Sequence, residues 1–233
     1  LIEFSERVIA GHGAAIHDGE RLFLGYTSGA FPAAALRELF PSRRLLFLKQ
    51  VHSDRILDEA EWRAGAEADG LLLRRPGPVA VIQTADCLPL FFFKDDGSRG
   101  GVVHVGWRGL LQGIEQRLLD RLEGDSGRYG FFLGPAIEPR CYEVGEELPR
   151  LFAEKPYAND IFAKSGPGRY RMDLRAGVTL SLAAAGVAAA RVQDCGLCTF
   201  CSSGRFPSYR RDGPSGRRIY NFLQLKGVPS GPA

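Results

Sequence analysis

Short apolar runs of strand length recur through the middle of the chain, near residues 45–51, 70–73, 79–83, 90–93, 101–105 and 130–133. Each is rich in β-branched or aromatic residues and is bounded by turn formers, which predicts a series of β-strands. The polar link Asp95-Asp96-Gly97-Ser98-Arg99-Gly100 joins two of them and reads as the turn of a β-hairpin. The run "PVAVIQTADCLPLFFF" at 78–93 also reads as a hairpin, bent at Thr84-Ala85-Asp86-Cys87. The period then changes. Leu110, Leu111, Ile114, Leu118 and Leu122 follow a 3.6-residue spacing, which predicts a helix from near Gly106 to near Gly124. Further helices are expected around Glu146–Glu154 and Leu174–Ala185, an Ala-rich helix end and turn at 181–192, and a closing strand at 217–225. Irregular alternation with hairpins favours α+β layers over a doubly wound parallel sheet.

Composition narrows this picture without redirecting it. A chain of 233 residues with no shift in composition is the size of one domain spanning 1–233. Its 45% apolar and 24% charged residues are those of an ordinary soluble globular protein. A formal charge of +3, from 30 basic and 27 acidic residues, argues against nucleic acid as a partner. No apolar run approaches the ~18 residues of a membrane span, so no membrane partner is expected. The opening "LIEFSERVIAGHG" lacks the features of a signal peptide, and a cytoplasmic location is expected. Five cysteines, three of them within 195–201, fit free thiols or metal ligands better than a secreted disulfide framework.

Three groups of residues carry candidate chemistry. His52, Cys87 and His104 are separated by 35 and 17 residues, and nothing local forces them together. Were they to meet, two imidazoles and a thiolate would bind zinc or copper and leave a fourth position for reactants. The alternative is two core histidines and a buried thiol. Arg108 falls in the first turn of the expected helix, where it opposes the dipole, so its guanidinium is a candidate for phosphate or carboxylate; otherwise it is a solvated surface residue. Cys195, Cys198 and Cys201 form a C-x-x-C-x-x-C run that suggests a structural zinc or an iron–sulfur centre, with Cys141 the spare cysteine. Partly buried free thiols are the competing reading. Arg205, Arg210, Arg211 and Arg217 lie among glycines just beyond and could bind an anion or form a solvated loop.

The stretches "KQVHSD", "ADGLLL", "TADCLPL", "HVGWRGL", "GPAIEPRCYEVG", "CTFC" and "PSYRRDGPSGR" occur here in one order over roughly residues 45–220. As a set they resemble the peptidoglycan editing factor family, also called the YfiH-like, laccase-domain or purine nucleoside phosphorylase family. The first 40 residues depart from it: "LGYTSGAFPAAALRELFPSRR" stands where the family carries an Asn-Leu-Gly stretch, a Gly-Asp pair and an Asn-Arg pair. The resemblance implies an α+β fold with mixed β-sheets flanked by helices, shared with a group described as cysteine hydrolases. It implies that His52, Cys87 and His104 bind an active-site metal, zinc first and copper as the alternative. Its activity would be phosphorolysis of purine nucleosides, with phosphate as co-substrate and with adenosine deamination and methylthioadenosine cleavage as related reactions. A role in keeping wrong amino acids out of peptidoglycan precursors is implied too. Arg108, Arg210, Arg211 and Gln50 are the candidate substrate- or phosphate-binding residues. Asp86, beside Cys87, is the candidate for orienting a ligand imidazole or moving a proton, unless it caps a turn.

The residues themselves discriminate among these activities. A multicopper oxidase needs roughly ten histidines and usually an axial Met, against four histidines and Met172 alone here. The zinc deaminase signature is absent, because no histidine has a glutamate two positions on. Two rivals to a zinc phosphorylase remain: a metal-independent hydrolase in which His104 activates Cys87, and a non-catalytic factor that binds a cell-wall precursor.

Overall fold

The computed structural model describes residues 2–29, 31–122, 124 and 126–227. Two six-stranded sheets face one another. The first runs β1 (Ser5–Ile9), β2 (His12–Asp18), β3 (Leu22–Thr27), β15 (Ile219–Leu225), β7 (Val79–Thr84), β4 (Leu45–Phe47), antiparallel except for β4 beside β7. The second runs β14 (Val192–Asp194), β10 (Tyr129–Leu133), β8 (Leu88–Lys94), β9 (Gly100–Val105), β6 (Gly70–Leu73), β5 (Ile56–Asp58). Its outer pairs, β14 with β10 and β5 with β6, are parallel, so both sheets are mixed. A small antiparallel sheet of β11 (Glu143–Gly145), β13 (Arg169–Met172) and β12 (Phe162–Gly166) shares no hydrogen-bonded ladder with these two, and its Met172 packs into the core beneath the helices.

The two-residue period of the strands sorts their side chains between layers. From β7, Ala80 and Ile82 pack inward with Leu71, Phe91, Val102 and Phe132 of the facing sheet. Val79 and Val81 point outward to Leu36 of α1 (Ala33–Leu39) and to Phe40. On the other side, Leu88, Leu90, Phe92, Val103 and Val105 meet Leu110, Ile114, Leu118, Val178 and Leu182. Those last five come from α2 (Trp107–Gln112), α3 (Ile114–Arg121) and α6 (Leu174–Ala184). The order is helix, sheet, sheet, helix. Both faces of the central strands are covered, which explains why they read as continuous apolar runs rather than as alternation.

The observed elements correct the expected ones in three places. The 78–93 run is not a hairpin: β7 pairs within one sheet and β8 within the other, so Thr84–Cys87 carries the chain across the sandwich. The hairpin closed by the Asp95–Gly100 link is present as β8 and β9. The helix expected over 106–124 is two helices, because Gly113 adopts φ 86° and breaks the turn. Residues 5–27 form three strands that the apolar pattern does not predict. The sequence "SERVI" of β1 is mostly exposed and is held by its ladder to β2, not by a buried face. The remaining short helices are α4 (Glu147–Leu151), α5 (Ala158–Ile161) and α7 (Tyr209–Asp212). Among the described residues no helix is long and apolar enough to cross a membrane.

Candidate active site

Where β7 hands over to β8, both sheets end together, and the polar residues of the crossing meet those at the ends of β9 and β4. His104 is the penultimate residue of β9, opposite Pro89, two residues beyond Cys87. His52 follows the Lys49 bridge that extends the β4 segment. The ligand atoms of His52, Cys87 and His104 lie within 4.8 Å of one another. The two imidazoles stand 4.9 Å apart between centroids at 73°.

Two buried carboxylates hold this arrangement. Asp69 is fully buried just before β6 and gathers five donors. Its Oδ1 accepts from His104 Nδ1 at 2.9 Å and the His52 backbone N–H at 3.0 Å. Its Oδ2 accepts from the N–H groups of Val51 (3.3 Å) and Ser53 (2.7 Å) and from Ser53 Oγ (2.8 Å). This set also holds His52 at φ 59°, a left-handed conformation that costs a non-glycine residue energy. Asp86 performs the equivalent task for the crossing, at φ 90°. Its carboxylate accepts from Thr199 Oγ1 at 2.6 Å, Ser208 Oγ at 3.0 Å and the Arg210 N–H at 2.7 Å. The carboxylate that orients an imidazole is therefore Asp69, while Asp86, which also lines the cavity, pins the 199–210 segment to the crossing, in keeping with the turn-capping alternative.

The charges follow from this geometry. Burial opposes ionisation of Cys87, but the charge of His104, with His104 and His52 both close to the sulfur, brings its thiol down to about 6. Burial likewise opposes protonation of His104, but the Cys87 thiolate and Asp69 outweigh it and raise the imidazole to about 9. Burial would raise Asp69 as well, yet its bonds to His104 and Ser53 hold it below the usual carboxylate range. Near neutral pH the metal-free site is a thiolate beside an imidazolium, backed by a carboxylate.

These donors fit a zinc ion. Two imidazole nitrogens and one sulfur around zinc stand about 3.3–3.6 Å from one another, given bonds near 2.0 and 2.3 Å, inside the 4.8 Å span observed. The bond from Nδ1 of His104 to Asp69 leaves its Nε2 as the ligand atom, the usual second partner of a metal-bound histidine. Gly106 leaves the space: a Cβ there would stand 3.0 Å from Cys87 Sγ and 3.1 Å from His52 Cδ2. The other two histidines, His12 and His17, lie on β2, the first against the Phe31 ring and the second bonded to the Glu3 carbonyl. The roughly ten histidines of a multicopper centre cannot be assembled from four.

A cavity of about 640 Å³ opens over the three ligands, lined also by Gln50, Gln83, Asp86, Trp107, Arg108, Tyr142, Tyr209, Arg210 and Arg218. Arg108 lies over the Trp107 ring at 4.3 Å. Arg210 donates to the Glu143 carbonyl at 2.7 Å and lies over the Tyr142 ring at 5.2 Å. Arg211 is not in the lining. Its guanidinium donates to the carbonyls of Thr199, Phe200 and Phe206 and to Asp212, so the expected phosphate contact is corrected to a structural one. Gln50 lines the cavity, but its amide is committed to β7, donating to Gln83 O at 2.8 Å and accepting from Gln83 N at 2.7 Å. Sequence reasoning missed Asp69, Trp107, Tyr142 and Arg218. For Asp69 a signal existed: a charge abutting the wholly buried strand Gly70–Leu73.

The cysteine run also assembles differently from its spacing. Cys141, Cys198 and Cys201 bring their sulfurs within 4.8 Å of one another. Cys195 packs against the core between the sheets instead.

Comparison with known proteins identifies the family and the fold. A family model described as multi-copper polyphenol oxidoreductase laccase matches residues 33–225. A purine nucleoside phosphorylase of Pseudomonas aeruginosa is 39% identical over 173 residues, covering 73% of this chain and 70% of that one. A purine nucleoside phosphorylase of Xylella fastidiosa is 34% identical over 224 residues, covering 89% of this chain and 86% of that one. The crystal structure of the hypothetical protein YfiH of Bacillus licheniformis superposes with a TM-score of 0.80 at 25% identity, covering 88% of this chain and 93% of that one. With the matching motifs, the four-layer fold and the paired relatives, the chain belongs to the YfiH-like laccase-domain family.

Proposed function

We propose that this protein is a zinc-dependent purine nucleoside phosphorylase. The observation that carries the reading is the convergence of two imidazoles and a thiolate on one point of a cavity rimmed by three arginines and three aromatic rings. The names of its relatives in Pseudomonas aeruginosa and Xylella fastidiosa support the same reaction.

Phosphorolysis breaks the bond between C1′ of the ribose and the purine nitrogen, and an oxygen of phosphate bonds to C1′. The bonding pair leaves with the purine, which takes up a proton. Arg108, Arg210 and Arg218 supply the positive rim that phosphate requires. Trp107, Tyr142 and Tyr209 offer flat apolar faces for the purine. Burial pushes the Tyr142 phenol well above its usual range, so it stays protonated and serves as a hydrogen-bond donor rather than a base. A bound zinc supplies a Lewis acid that polarises a substrate oxygen. Asp69, through His104 and the 51–53 backbone, keeps the ligands aimed. The cavity is within the ~300–1,000 Å³ range of small-molecule sites.

A metal-independent hydrolase is the second reading, favoured by the thiolate–imidazolium pair of Cys87 and His104 with Asp69 behind it. Against it stands His52, a second imidazole on the same sulfur that a Cys–His pair does not need. The test is product analysis with adenosine and inosine, with and without phosphate. Free base and ribose 1-phosphate, formed only with phosphate, support the proposal. Ammonia and inosine from adenosine without phosphate point to deamination, and absence of any turnover to a binding factor.

A further inference from the structure

A second set of metal-binding side chains lies outside the cavity. Cys141 ends a 3₁₀ turn, Pro139–Cys141, and Cys198 and Cys201 come from the segment that Asp86 pins through Thr199. Their sulfurs fall within 4.8 Å of one another, and those of Cys141 and Cys201 are 3.2 Å apart. Three sulfurs bound to one zinc ion stand about 3.8 Å apart, so small side-chain rotations close the site. We propose that Cys141, Cys198 and Cys201 form a second metal site that takes a thiophilic ion of the zinc class through three thiolates, with the fourth position on the open side of the cluster. This inference does not depend on the reaction proposed for the cavity.

Three features favour a metal over a reactive thiol pair. Three sulfurs converge, where a disulfide uses two. The backbone N–H of Cys201 points at Cys198 Sγ at 3.5 Å, the pattern that stabilises a coordinating thiolate. Arg140, paired with Glu138 at 2.7 Å, lies within electrostatic reach of all three sulfurs and offsets the net negative charge of a zinc trithiolate. Cys198 is 3% exposed and Cys201 is exposed, so the cluster has a buried base and an open rim. Each thiol gives its proton to solvent as the ion binds, and no redox partner is required. The ion clamps the turn preceding Tyr142 to the segment that bonds Asp86, two walls of the cavity.

The experiment is metal loading of the reduced chain with Zn²⁺ and then Co²⁺, in the wild type, His104→Ala, Cys198→Ser, Cys201→Ser and the double variant His104→Ala/Cys201→Ser. The wild type is expected to hold two equivalents, each single variant one, and the double variant none. Cobalt in His104→Ala should show strong sulfur-to-metal charge transfer that Cys201→Ser removes. Circular dichroism establishes folding, and exposed Cys201 provides the substitution least able to disturb it. The proposal is overturned if folded His104→Ala binds neither ion, or if the Cys201→Ser and Cys198→Ser proteins keep the wild-type stoichiometry. It is also overturned if mass spectrometry finds a Cys141–Cys201 disulfide in native protein and its reduction restores no metal binding.

Discussion

Replacing Asp69 by Asn changes one atom in the middle of five hydrogen bonds and isolates what the carboxylate does. Every group facing Asp69 is a donor: three backbone N–H groups, the Ser53 hydroxyl and His104 Nδ1. An amide has one accepting oxygen. If that oxygen keeps the three donors on the Val51–Ser53 side, the amide NH₂ meets the His52 N–H and His104 Nδ1. His104 then accepts at Nδ1 and carries its proton on Nε2, which removes the lone pair that faces Cys87 and His52. Loss of such a partner behind a metal-bound histidine typically weakens metal affinity about 10–100-fold. The stranded His52 N–H costs about 1–3 kcal/mol of stability, and His52 is freed from φ 59°. Competition with a chromogenic chelator measures the affinity, and thermal unfolding of the metal-free protein measures the stability. An Asp69→Asn protein with zinc affinity within twofold of wild type and an unchanged midpoint would refute the argument that Asp69 orients the site.

Other consequences can be tested alongside. Gly106→Ala keeps an allowed backbone (φ −94°) but puts a methyl group 3.0 Å from Cys87 Sγ, so zinc affinity should fall while the fold, read by circular dichroism, is retained. In metal-free protein, iodoacetamide alkylation of Cys87 should fall only as pH drops through about 6, not below the ordinary thiol value of 9.0, and zinc should protect it. Asp69 is held below its usual range, so its contribution to stability is present above the ordinary carboxylate value and lost as acid carries pH through the lowered one; Asp69→Asn should flatten that acid limb. Arg108→Ala should raise the KM for phosphate at least tenfold, whereas Arg211→Ala, which removes bonds to three carbonyls, should lower the melting temperature and spare the kinetic constants of the folded fraction.

How much of this was readable in the chain depends on whether local or tertiary forces decide each feature. The buried strands of residues 70–133 and the helix α6 could be located because burial imposes length and apolarity on them. The 78–93 crossing could not be told from a hairpin, since strands covered on both faces lose the alternation that reports which sheet they join. Asp86 drew attention because it abuts Cys87, but a buried carboxylate is defined by the donors that reach it, and those come from residues 199–210. Asp69 stood 35 residues from the imidazole it orients. The same limit governed the cysteines: Cys195 fits the C-x-x-C-x-x-C spacing, yet the end of β14 turns it toward the inter-sheet core and leaves its place to Cys141. Arg210 and Arg211 are neighbours in sequence, and α7 sends only the first into the cavity. The family motifs brought His52, Cys87 and His104 together on paper where their spacing alone could not.

The central claim is that one zinc ion held by His52, Cys87 and His104 serves the cleavage of purine nucleosides. The direct measurement is phosphate-dependent release of adenine from adenosine, followed against zinc occupancy at this site. It uses protein titrated from the chelated to the loaded state, with His104→Ala alongside. The account predicts that release rises in proportion to occupancy and is lost in His104→Ala. Full release from chelated protein, or from His104→Ala that holds no zinc at this site, would contradict it.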